Sequence, residues 1–248
     1  MIHLTNISKT FYPGTPREIK ALKEINLHIE QGEFVVVIGS NGSGKSTLLN
    51  AIAGNIMVNE GNIAIDGNDV TRKKDFERSK YIARIFQDPF MGTASELSIL
   101  DNFRLAALRT RRKLPIIGID AQFLRTVKDK IAMLGLGLEN KLEQPMGALS
   151  GGQRQALTLI MAIMDEPKIL LLDEPSAALD PKTSEIIMQK AKDIITEFKL
   201  TALLITHQLK DAQTYGNRII MLETGSVSHD LKGEEKAQLS TTDLVEWF

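Results

Sequence analysis

Apolar and polar positions alternate in part through the first third of the chain. "MIHLTNISKTF" and "ALKEINLHIEQGE" predict antiparallel strands with one wet face. "NIAIDGNDV", residues 62–70, alternates too and carries an Asp-Gly turn. Three other runs have a different character. "FVVVI" (34–38), "KILLLDE" (168–174) and "TALLITH" (201–207) are β-rich and apolar on both faces, which predicts central parallel strands. Each leads into polar residues at its C-terminal edge, the edge at which open α/β sheets bind ligands.

Helical spacing fills much of the rest. "KSTLLNAIAG" follows a glycine-rich stretch, and residues 94–109 and 120–134 place apolar side chains on one face. In "QRQALTLIMAIM", Leu157, Ile160, Met161 and Met164 share a face while most other positions are apolar as well. That pattern predicts a buried helix whose methionines pack in a core. The fold class is therefore α/β. A parallel-sheet core is joined by a small antiparallel β subdomain and a helical subdomain at about 90–165, all within a single domain of residues 1–248.

Composition narrows the function classes. With 43% hydrophobic and 25% charged residues the chain is ordinary for a soluble protein. Its longest apolar runs are far too short to span a membrane, and its opening lacks the pattern of a signal peptide. The expectation is a cytoplasmic chain that reaches a membrane only through other subunits. A net charge of −1, from 30 basic and 31 acidic side chains, argues against a general nucleic-acid binder. The absence of cysteine excludes disulfides and thiolate metal sites.

The chemistry concentrates in four places. "GSNGSGKST" satisfies G-x-x-x-x-G-K-[ST] with Gly39, Gly44, Lys45 and Ser46. It follows a predicted buried strand and opens a helix, a context in which a mere connecting loop is a poor explanation. Backbone N–H groups of Ser40, Asn41, Gly42, Ser43 and Gly44 can turn around phosphate oxygens, and the helix N-terminus at Ser46 and Thr47 adds a favourable dipole. Lys45 can reach the outer phosphates, and Ser46 can ligate Mg²⁺. The loop implies a nucleoside triphosphate without naming a reaction.

"ILLLDEPSAALD" ends a buried strand in Asp173 and Glu174. The first carboxylate suits a metal's water shell, and the second can polarise a water beside the γ-phosphate. Gln87, in "IFQDPF", offers an amide to Mg²⁺ and water, although alone it would read as a surface residue. His207 stands at the ligand edge of its strand and can donate to a γ-phosphate, whereas His3, His28 and His229 have no such placement.

The fourth place is "LSGGQRQALTL", 149–159, a second serine–glycine turn opening an apolar helix. "GSNGSGKST", "FQDP", "LSGGQRQ", "ILLLDEPSAALD" and "ITH" occur in that order, which resembles the nucleotide-binding subunits of ABC (ATP-binding cassette) transporters. The resemblance implies a P-loop ATPase fold and two subunits paired head to tail. Ser150, Gly151, Gly152 and Gln153 of one would then cap the γ-phosphate of ATP held by the other. It implies Glu174 as general base, Asp173 with Ser46 and Gln87 at Mg²⁺, and His207 as a γ-phosphate switch. An aromatic near the N-terminus, either Phe11 or Tyr12, would stack on adenine. Partners would be a second copy of the chain, transmembrane permease subunits and a substrate-binding protein, with the ATPase peripheral on the inner face of the cell membrane.

The runs "KTFYPGTPREIKAL", "LTLIMAIM", "SAALDPKT" and "YGNRIIM" are similar to bacterial ATPases that serve amino-acid and related small-solute importers. The first of them also resembles lipoprotein-release and macrolide-export ATPases. An exporter and a soluble ABC ATPase remain the alternatives. A large C-terminal regulatory domain is not expected, and residues 230–248 allow only a short tail. The basic run "RLAALRTRRK" (104–113) reads as a solvated helix face or a membrane contact.

Overall fold

The computed structural model describes residues 1–108 and 121–248. Residues 109–113 of the basic run at 104–113 lie outside the described residues. The chain divides into two compact units: Met1–Ile82 with Lys168–Glu174 and Ile195–Phe248, and Ala83–Pro167 with Pro175–Ile194.

In the first unit the alternating segments form an antiparallel sheet ordered Ile19–Ile29, Ile2–Phe11, Glu60–Ile65, Asn68–Asp69. Ile2 pairs with Ile29 on one side and Ile65 on the other, and all three are fully buried. The alternation is incomplete for a physical reason. Register shifts break the ladder between Leu4 and Ile7, where Asn6 (φ 50°) takes a left-handed conformation, and between Ile7 and Lys9, where Glu24 (φ 48°) of the facing strand does. Asp66 and Gly67 both have positive φ (54° and 74°), the hairpin geometry that an Asp-Gly pair favours.

The uniformly apolar runs form the second sheet of this unit. Phe34–Ile38 lies between Arg218–Glu223 and Thr201–Ile205, parallel to both, and Thr201–Ile205 pairs in parallel with Ile169–Asp173. The outer strand Ser226–Lys232 is antiparallel to Arg218–Glu223. Val35, Val37, Leu171, Leu203 and Ile220 join the buried residues of helix Lys45–Ala53 and of the antiparallel sheet in one core.

Arg78 is fully buried in that core. Its guanidinium donates to the carbonyls of Ala51 and Ile52, the C-terminal end of helix Lys45–Ala53, and to those of Lys73 and Thr71. Burial pulls its pKa down to about 10, which leaves it charged at neutral pH. Residues 230–248 include two small helices, Glu234–Ala237 and Thr241–Glu246. The buried Lys236 Nζ donates to the carbonyls of Gln213 and Tyr215, where helix Leu209–Thr214 ends.

The second unit is helical. Helix Ile99–Ala107 starts later than the spacing from residue 94 suggests. Ser98 caps it, and the buried Asn102 amide ties Ala94, Leu97 and Ser98 into a turn that cannot continue as helix. Helix Ala121–Ala132 stops two residues short of the predicted end, ahead of Gly135 and Gly137, which have φ of 68° and 67°. Helix Gly151–Ala162 is buried from Arg154 to Ala162, as its continuous apolar run predicts.

Candidate active site

Two glycines fix the loop between Phe34–Ile38 and helix Lys45–Ala53. A Cβ at Gly39 (φ 141°) would lie 2.2 Å from the Leu222 carbonyl oxygen, and one at Gly44 (φ 106°) 2.5 Å from that of Ala21. No other residue fits either position, because the loop is pressed against neighbouring backbone. Gly225 N–H donates to the Ser43 carbonyl and locks it there. The helix begins without an acidic residue in its first turn, and its first N–H groups have no intrahelical acceptor, so the positive end of its dipole stays uncompensated.

Lys45 is nearly buried, and its Nζ donates to the carbonyls of Gly39 (2.7 Å) and Ser40 (2.9 Å), which aims the ammonium back along the loop. Desolvation lowers its pKa, against a smaller opposing effect from Glu174. Ser43 Oγ is buried with no hydrogen-bond partner among the described residues.

A cavity of about 320 Å³ opens beside this loop, lined by Phe11, Ile19, Ala21, Asn41, Gly42, Gly44, Lys45, Ser46, Thr47, Glu174 and His207. One wall is apolar: Phe11 pairs with Ile19 across the antiparallel sheet, and Lys9 Nζ lies 5.1 Å from the Phe11 ring centre. Tyr12 is not in the lining; it is 64% exposed, with φ 51°. Ile19 and Ala21 were not legible as site residues, since only the register of a bulged strand pair brings them beside Phe11.

The far wall is ionic. Glu174 follows strand Ile169–Asp173 and is held in a left-handed conformation (φ 47°), with its N–H on the Ile205 carbonyl. Its Oε1 lies 2.5 Å from His207 Nε2, and its side chain is 11% exposed against 47% for His207. A shielded carboxylate bonded to an accessible imidazole can take a proton from water and stay oriented while doing so. Asp173 ends the same strand, half-buried and outside the cavity lining.

The remaining candidates belong to the second unit. Gln87 is exposed in a bend just after strand Ile82–Ile85. Ser150 caps helix Gly151–Ala162 through a reciprocal pair: its Oγ accepts from Gln153 N–H (3.3 Å), and Gln153 Oε1 accepts from Ser150 N–H (3.2 Å). The two glycines between them differ. A Cβ on Gly151 would meet nothing closer than Leu179 Cδ2 at 3.6 Å, whereas one on Gly152 would fall 2.2 Å from Thr183 Cγ2. Gly152 is needed for packing, while Gly151 leaves its face open.

Two further residues of this helix carry structure that the motif does not announce. Arg154 donates to Ser95 Oγ and the Met146 carbonyl and lies 4.1 Å from the Phe90 ring centre. The buried Gln155 donates to the carbonyls of Phe86 and Pro175, the residues just before Gln87 and just after Glu174.

Residues 22–177 match the family model described as ABC transporter. The chain is 40% identical over its full length, and over 98% of the relative's, to a tyrosine transport ATP-binding protein of Clostridioides difficile (strain R20291). It is 35% identical to the methionine import ATP-binding protein MetN of Vibrio vulnificus (strain YJ016), over 92% of this chain and 64% of that one. Among solved structures it superposes on the dimeric ATP-binding cassette MJ0796, determined in a post-hydrolysis state with ADP and Pi. The TM-score is 0.78, with 34% identity over 94% of this chain and 98% of the other. Membership extends beyond the matched segment, since the tyrosine-transport relative aligns from end to end. The chain belongs to the ABC transporter ATP-binding family and is an ATPase.

Proposed function

We propose that this chain powers a bacterial importer of an amino acid or a similar small organic solute. It would work as a head-to-tail dimer that sandwiches ATP. The observation that carries the reading is the cavity in which the phosphate loop, Lys45, Glu174 and His207 face one another beside an apolar wall. Adenine stacks on Phe11 against Ile19 and Ala21. The triphosphate runs along the loop N–H groups toward Lys45, and Glu174 takes the proton of the attacking water. His207, bonded to Glu174, is placed to donate to the γ-phosphate as charge develops there.

Ser46 and Asp173, both of the first unit, offer oxygen atoms of the kind that a hard cation such as Mg²⁺ requires, and the Gln87 amide would add another; no cluster of three or more His, Cys, Asp or Glu stands among the described residues to hold the ion alone. Phosphate oxygens and water would complete its shell, and the ion would neutralise phosphate charge. Ser150, Gly151, Gly152 and Gln153 would complete the site of a second copy. The self-capped N-terminus of helix Gly151–Ala162 supports this: its polar side chains are committed to orientation, which leaves the Gly151 and Gly152 N–H groups for an anion. The two compact units would act as one functional domain, with the helical portion at about 90–165 meeting the permease.

Among the described residues no helix is long and apolar enough to cross a membrane, so membrane attachment would come from permease subunits, and cargo from a substrate-binding protein. The named cargoes of the relatives, tyrosine and methionine, point to an amino acid.

The test is Glu174→Gln. ATP binding persists, turnover falls about 10²–10⁴-fold, and the variant elutes as a dimer with ATP and Mg²⁺. Wild-type turnover would refute the base assignment, and a monomer with bound ATP would refute the sandwich. Uptake of a panel of labelled amino acids, tyrosine and methionine included, in a deletion strain tests the cargo, and unchanged uptake of all of them overturns the amino-acid assignment.

A further inference from the structure

Away from the ATP cavity, the antiparallel sheet sets two histidines side by side. His3 and His28 are direct cross-strand partners. Their sequence neighbours Ile2, Leu4, Leu27 and Ile29 are buried, so strand alternation places both imidazoles on the wet face. The ring centres are 4.0 Å apart with a 39° tilt, and the two Nδ1 atoms are separated by 3.0 Å. Ala64 stands opposite His3 on its other flank and is too small to cover the pair. Arg218 donates to the His28 carbonyl, but Glu33 and Asp230 balance its charge.

We propose that His3 and His28 chelate one first-row transition-metal ion through their Nδ1 atoms, with water completing the coordination. Imidazole nitrogen binds such ions at about 2.0–2.1 Å, so two bonds at a right angle hold the nitrogens about 2.9 Å apart, and a tetrahedral pair about 3.3 Å. The two Nδ1 atoms, now within hydrogen-bond distance at 3.0 Å, already stand at about the separation that the right-angle bite of the tetragonal ions Cu²⁺ and Ni²⁺ requires. Coordination requires neutral imidazole.

The site is separate from ATP chemistry, because neither histidine lines the cavity. It is an open two-residue site, since no larger cluster of ligating side chains occurs among the described residues. Its occupant would cross-link strand Ile2–Phe11 to the sheet-edge strand Ile19–Ile29 and raise the unfolding midpoint by mass action.

The experiment is calorimetric titration of Ni²⁺ into the tag-free, nucleotide-free chain and its His3→Gln, His28→Gln and His229→Gln variants. The expected result is one ion per chain, weakened at least tenfold by either of the first two substitutions and unchanged by the third. Without Ni²⁺ and with Mg²⁺ supplied, His3→Gln and His28→Gln should hydrolyse ATP at the parent rate, which separates lost ligation from misfolding. Absence of binding to the unsubstituted chain overturns the proposal. So does undiminished binding in His28→Gln, which would assign the ion to His3 and the backbone preceding it.

Discussion

Replacing Gly152 by alanine adds one methyl group to a slot that has no room for it. The new Cβ would stand 2.2 Å from Thr183 Cγ2, more than 1 Å inside ordinary carbon–carbon contact at about 3.5 Å. Thr183 cannot step aside freely. Its β-branch leaves few χ1 states, and its N–H is engaged by Asp180 Oδ1 at 3.1 Å in the first turn of helix Pro181–Glu197. The added methyl must therefore displace one helix or the other. Overpacking of this kind costs about 1–3 kcal/mol.

Thr183→Ser removes the obstructing methyl and nothing else, so the cycle Gly152→Ala, Thr183→Ser and the double variant isolates the clash. Denaturant unfolding followed by circular dichroism supplies the four stabilities. The expected result is a loss in Gly152→Ala that the double variant largely recovers, with Gly151→Ala near the parent because its Cβ meets nothing closer than Leu179 Cδ2 at 3.6 Å. Equal losses in Gly151→Ala and Gly152→Ala, or no recovery by Thr183→Ser, would refute the packing role assigned to Gly152.

Four other perturbations have defined outcomes. Lys45→Ala removes the ammonium aimed along the phosphate loop and should weaken ATP binding at least tenfold in a fluorescence titration, with the unfolding midpoint little changed. Arg78→Met removes the side-chain donor from four carbonyls, three of those bonds buried, and should cost about 3–5 kcal/mol of stability, as breaking a buried ionic hydrogen-bond set does; chemical denaturation reads it. Gln155→Met unpairs the carbonyls of Phe86 and Pro175, so kcat should fall while the KM for ATP stays within about twofold, a split that steady-state kinetics resolves. Burial raises the Asp211 pKa, against a smaller opposing effect from Thr206, so the native state holds this proton more tightly than the unfolded state does. That contribution to stability is present below the unfolded pKa and is lost as pH rises through the folded one. Asp211→Asn should therefore be more stable than the parent at pH 7, with the advantage closing as pH falls through the carboxylate range.

The two sheets were legible in different degrees. Fully buried strands such as Phe34–Ile38 carry an unbroken apolar run, and their parallel pairing follows from having no wet face. Strands Ile2–Phe11 and Ile19–Ile29 were harder, because Asn6 in the first and Glu24 in the second interrupt the period-two pattern with irregularities set by pairing rather than by local preference. The start of helix Ile99–Ala107 was misplaced because Asn102 decides it from within the helix, by folding back onto Ala94 and Ser98.

At the site, Lys45, Ser46, Glu174 and His207 were readable, since each sits in a short motif whose spacing already encodes a turn. Ile19 and Ala21 were invisible because an apolar residue on a strand carries no mark of the cavity it faces. The buried Arg78 was hidden in a charged run, "TRKKDFERSK", that reads as solvated surface.

Glu174 occupies a backbone region that suits glycine or asparagine far better than a long side chain, and Pro175 behind it narrows the choices further. The residue we propose for the proton-accepting task is thus a small standing burden on the fold, of about 1–2 kcal/mol. A library selected purely for thermal resistance would drift toward Gly or Asn at this position and accumulate robust but idle proteins. Durability and turnover pull this one codon in opposite directions.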